Sequence, residues 1–259
     1  MKPAAKILIL LFLFSIAAGC GREPIRQSLL KSMAELDRAY IPALFFMNLQ
    51  KPRESEIALK ILKAKWKQFD QKYYELELKY GIGITDKLWK DDFRAIDVLI
   101  SSAEGKVAAG KLTAVREILK ELRHRHGLDY YLDKMVAFND ATEEIIKFLN
   151  GKKKLSETEL AKLYALSKKA KKEWATVSAS RIDIKTFGFD LKKPGAIKKL
   201  SDKEQKSLAK LDLAIDSKAL DQIADTIKEI KANFMLIYRV FGDFNPVFEK
   251  IRLEKRKKI

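Results

Sequence analysis

From 220 to 241 the apolar residues are Leu220, Ile223, Ile227, Ile230, Phe234, Ile237 and Phe241, stepping alternately by three and four. That rhythm is the a/d seam of a helix packed lengthwise against other helices. Ala58, Leu62, Phe69, Tyr73, Leu76 and Tyr80, with Trp66 beside them, predict an earlier helix of the same kind. Phe93, Ile96, Ile100, Ala103 and Val107 predict another, stopping at Gly110 with Lys106 in its last turn. A restart at Lys111 carries Leu112, Val115, Leu119 and Leu122. Gly127 interrupts, and Leu128, Tyr131, Leu132, Met135, Ile145, Ile146 and Leu149 lead on to Asn150 and Gly151. An opening helix is expected near 29–49, and no stretch alternates with period two long enough to demand a sheet.

Matches between the two halves of the chain suggest an internal duplication. Trp66 pairs with Trp174, Tyr80-Gly81-Ile82 with Phe187-Gly188-Phe189, and Ile96-Asp97 with Leu211-Asp212. The run from Lys120 to Arg123 resembles that from Lys228 to Lys231, and Phe138, Asn139, Glu143 and Ile145 return as Phe244, Asn245, Glu249 and Ile251. The expected fold is therefore all-α, an antiparallel bundle of two stacked four-helix-like units with short connections. The expected divisions are 1–19, 20–28, a first unit over 29–150 and a second over 151–259 ending in a basic tail. The stretch from Arg181 to Gly195 is the longest irregular piece, carrying aromatics and lysines, as a functional loop or a lid on the bundle would.

The first twenty residues add an address. Lys2 and Lys6 precede the apolar run Ile7–Gly19, which ends at Cys20, the only cysteine of the chain. A positive start, a short apolar stretch and small residues before a cleavage point make a secretory signal. Ala17-Ala18-Gly19-Cys20 resembles the lipobox of bacterial lipoproteins, although Ala17 stands where that family most often has Leu. The resemblance implies cleavage before Cys20, acylation of that residue, and attachment to a membrane through it. Gly21, in place of the Asp that favours inner-membrane retention, implies the periplasmic face of the outer membrane, with the inner or cell membrane as the alternative. Residues 21–27 then read as a short tether.

The formal net charge is +17, and loss of Lys2 and Lys6 with the leader, which has no acidic side chain, leaves 17 − 2 = +15. Such a balance favours anionic partners: lipid head groups, lipopolysaccharide or an acidic protein, with nucleic acid set aside by the address. Catalytic chemistry is thinly provided. Glu121 and His124 have the Glu-x-x-His spacing of di-iron bundles, but the matching position in the second half is Ala232. Gly105, Gly110 and Lys111 imitate a P-loop, yet Leu112 stands where Ser or Thr should hold magnesium. The only two histidines, His124 and His126, lie in one charged stretch and leave little for acid–base work at neutral pH.

Asn139 with Glu143, and Asn245 with Glu249, each share a helical face and are the candidate binding residues; the competing account is helix capping, with a break in the long helix at Asn139 and Asp140. No cofactor, metal or catalytic residue is expected. The leading expectation is a non-enzymatic envelope lipoprotein whose bundle binds or scaffolds an anionic partner. The alternative is a periplasmic carrier of a lipid, metal or redox cofactor within the bundle.

Overall fold

The computed structural model describes residues 22–76 and 88–256, and every regular element among them is helical. The leader, Cys20 and the turn Tyr80-Gly81-Ile82 lie outside the described residues. No described helix is long and apolar enough to cross a membrane.

Two units are formed, each a four-helix bundle. The first contains α1 (Arg22–Asn48), α2 (Pro52–Tyr73), α3 (Trp89–Ser101) and α4 (Ala108–Arg125). Each packs on the next, and α4 returns to α1. Trp66, Phe69 and Phe93 stack in its interior, and Trp66 Nε1 donates to Asp97 Oδ1 at 3.1 Å. Tyr40 Oη closes the ring of helices by donating to the Leu112 carbonyl at 3.0 Å.

The second contains α5 (Tyr131–Leu149), α6 (Glu157–Ala179), the single turn α7 (Ile184–Phe187), α8 (Lys193–Asp216) and α9 (Leu220–Arg239). Its four long helices repeat the same neighbour order, with α9 returning to α5. Ile223, Ile227, Ile230, Phe234, Ile237 and Phe241 of the α9 seam are all buried, as their spacing requires. The capping box of Ser156 and Glu159 starts α6 with two otherwise unsatisfied N–H groups paired.

A last helix, α10 (Asn245–Arg256), belongs to the first unit and packs on α2. Phe244 and Phe248 meet Phe46 edge-on at 5.6 and 5.8 Å, and Arg53 pairs with Glu254. The units thus divide at Asp129/Tyr130, with the chain from Phe244 returning to the first. A division at 150 would separate α5 from α6, which pack on each other along their length.

Three local expectations are corrected. The break between the third and fourth helices falls at 102–107, where Gly105 takes a φ of +54°, and Gly110 is the third residue of α4. A left-handed φ favours glycine, whereas the first turn of a helix merely tolerates one. Helix α5 runs unbroken through Asn139 and Asp140. Of the tether, residues 22–27 are helical, so these six rise by about 9 Å instead of the roughly 20 Å they would reach extended.

The suggested internal duplication is not confirmed, although some of the paired residues fall on corresponding helices. The paired tryptophans fall on the second helix of each unit, Asp97 and Asp212 on the third, and the Lys-Glu pairs on the fourth. Phe138 opens no such match, because Phe244 precedes a helix of the first unit. Trp66 and Trp174 are 108 positions apart but Asp97 and Asp212 are 115 apart, a slip of seven residues or about two turns. Asp212 accordingly accepts from Ser167 and Lys171, at 3.3 and 2.7 Å, and Trp174 Nε1 is buried with no hydrogen-bond partner.

Candidate functional site

The four candidate residues are divided between the two units, Asn139 and Glu143 in the second and Asn245 and Glu249 in the first. Asn139 and Glu143, one turn apart on α5, share a single cation: Lys231 of α9 donates to Asn139 Oδ1 at 2.6 Å and pairs with Glu143. They tie two helices of the second unit together, which accounts for their spacing without a ligand. Asn245 is the first residue of α10 in the first unit, with Pro246 next, and Glu249 is exposed on that helix. Glu121 and His124 are exposed on α4, and no cluster of three metal-ligating side chains occurs among the described residues.

Two other features of the second unit hold its unusual electrostatics. One is internal. Glu204 and Ser207 of α8 are fully buried, as is Asn233 of α9. Asn233 Nδ2 donates to Ser207 Oγ at 3.0 Å, and Ser207 Oγ donates to Glu229 Oε1 at 2.9 Å. Glu229 also pairs with Lys210 at 3.0 Å, bringing the chain of contacts out to solvent. Asn233 Oδ1 and both oxygens of Glu204 are left without partners. Burial pushes the Glu204 carboxyl up to about 8, helped by the Glu229 charge and opposed by the Asn233 side chain and Lys203. A protonated Glu204 is a donor, the group that the orphaned Asn233 oxygen lacks. Sequence reading passed over Glu204 because it sits in the polar run 201–206. The signal that marks it is register: Ile197, Glu204, Leu208, Leu211 and Ile215 step by 7, 4, 3 and 4, which puts a carboxyl on the buried seam.

The other feature is external. Lys192 caps α8, and Lys199, Lys203, Lys206 and Lys210 follow at steps of 7, 4, 3 and 4, so all five fall on one stripe. Lys210 is held by Glu229. No salt bridge holds the other four among the described residues, whereas Lys169, Lys171, Lys218 and Lys231 of the same unit are each paired. Arg181 and Lys198 add two more cations that no salt bridge holds among the described residues.

The acids of the loop are occupied elsewhere. Asp183 accepts from the N–H groups of Lys185 and Thr186 and from Thr186 Oγ1. The Thr186 hydroxyl, first among these contacts, holds the Asp183 carboxyl below its ordinary range. Asp190 Oδ1 accepts from the N–H groups of Lys192 and Lys193 at 2.9 and 3.0 Å. Both carboxylates accept chiefly from backbone N–H groups of the loop, and neither forms a salt bridge with a stripe lysine. Comparison of the chain with protein-family models, curated proteins and solved structures gives no match.

Proposed function

We propose that the protein is a non-enzymatic, membrane-tethered helical module that binds an anionic partner through the lysine stripe of α8. The observation that carries this reading is the alignment of Lys192, Lys199, Lys203 and Lys206 on one stripe, none of them in a salt bridge among the described residues, in a unit where Lys169, Lys171 and Lys231 are held by carboxylates. Cations left without local partners keep their field available to an external anion, and their alignment concentrates it. The tether is the acylated Cys20 that the lipobox implies, on the periplasmic face of the outer membrane. The full chain is expected to be retained on immobilised polyphosphate at low salt and released as salt rises, since screening weakens exposed charge contacts. Passage through the resin at low salt would remove this reading.

A carrier is the second reading, favoured by Trp174 Nε1, Asn233 Oδ1 and the Glu204 oxygens, unpaired polar atoms inside one bundle. A native mass spectrum of the purified chain separates the two. The binding module is expected at its covalent mass, and extra mass lost on denaturation would make the protein a carrier.

A further inference from the structure

The partner of the stripe can be specified further, resting on the anionic-partner reading above. The loop before α8 has an inner and an outer side. On the inner side Phe187 is buried, meeting Phe241 at 5.0 Å and Tyr130 at 5.5 Å, and Phe189 meets Phe241 at 5.1 Å. Gly188 makes the turn between them with a φ of +60°, and Lys193 Nζ lies 4.8 Å from the Phe189 ring centre. These contacts fix the loop. On its outer side they leave Leu191 89 % exposed, the most exposed large apolar residue among those described. Lys192 follows it directly, with Lys199, Lys203 and Lys206 behind along the helix.

We propose that this tip docks on the surface of an anionic bilayer, with Leu191 entering the acyl boundary and the stripe lysines meeting lipid phosphates. A protein partner would call for an apolar patch depleted of charge within a polar rim. Here the order is reversed: one exposed leucine stands among lysines. Long lysine stems lie along an apolar boundary while their ammonium groups stay at the headgroups, the arrangement that suits an interface. Each lysine near an anionic surface contributes about fivefold in partitioning. Loss of three is therefore expected to weaken membrane contact by roughly a hundredfold, and reversal by more.

The test uses the full chain incorporated into vesicles of roughly one-third phosphatidylglycerol in phosphatidylcholine, with brominated acyl chains as quencher. Wild-type chain supplies the background of its own tryptophans. The indole introduced by Leu191→Trp is expected to be quenched in these vesicles, and not in pure phosphatidylcholine or when K192E, K199E and K206E are added. None of those three lysines has an ion pair to lose, so a folded variant is expected. Equal quenching in neutral vesicles, or none in anionic ones, would overturn the bilayer proposal. If quenching is absent while polyphosphate still retains the chain, the anionic-partner reading survives and the bilayer falls. If both are absent, both fall.

Discussion

Glu204→Gln is expected to raise stability at neutral and alkaline pH and to flatten its pH dependence. The folded state holds the Glu204 proton up to about pH 8, whereas in the unfolded chain it leaves near the ordinary 4.5. The folded state therefore binds the proton more tightly. Stability from this group is greatest below the unfolded value, declines as pH rises through the window between the two, and levels off above the folded value. Across that window the loss is on the order of 3–5 kcal/mol for a fully buried side chain. Glutamine keeps the shape of the protonated acid without a charge to bury. Urea midpoints of the two proteins are expected to agree near the acid end and to separate steadily towards pH 9, with the variant higher. Lys203 on the same helix and Glu229 on α9 are the charged groups that act on Glu204, and both are present in wild type and variant alike. Parallel curves for the two proteins would show that Glu204 is ionised in the folded state.

The second large effect is expected at Phe138. Its ring is fully buried against Trp174 at 4.9 Å and Phe234 at 6.3 Å, three helices meeting at one level of the second bundle. Phe138→Ala leaves a cavity that the surrounding rings cannot fill and is expected to cost about 3–5 kcal/mol of unfolding free energy. Phe244, its sequence counterpart, is only half-buried and meets Phe45 and Phe46 edge-on near the start of α10. Phe244→Ala is expected to cost clearly less, because water can reach the space it leaves. Equal losses in chemical denaturation would mean that the α10 contact is as integral as the core of the second unit.

That pair marks how far the sequence could be read. Helical period is a local property, so α2, α4 and α9 could be traced from apolar spacing, and Leu62, Leu119 and Ile230 are buried as expected. The position of a glycine break was harder to read, because Gly105 and Gly110 look equivalent until the backbone requires a positive φ at one of them. The suggested duplication, which the structure does not confirm, illustrates a different obstacle. Residue likeness places Asp212 with Trp174, but seven added residues turn into two helical turns, and the aspartate finds Lys171 instead. Asn139 and Glu143 share a face of α5, as their spacing requires, yet what fills that face is Lys231, about ninety positions away. The lysine stripe had a visible spacing on α8. Its lack of partners was not visible, since that depends on which carboxylates the fold brings near and on Asp183 and Asp190 being consumed by backbone N–H groups.

The central claim is that the placement of charge, rather than its total, makes the binding surface. The most direct measurement is the salt concentration that elutes three full-length proteins from immobilised polyphosphate: wild type, K192E/K199E/K206E, and K65E/K67E/K250E. The last two have the same net charge, but the second set reverses exposed lysines of the first unit. Early elution of the α8 variant alone, with the first-unit variant close to wild type, is the expected result. Equal shifts in both variants would contradict the account, because the chain would then be a diffuse polycation without a site.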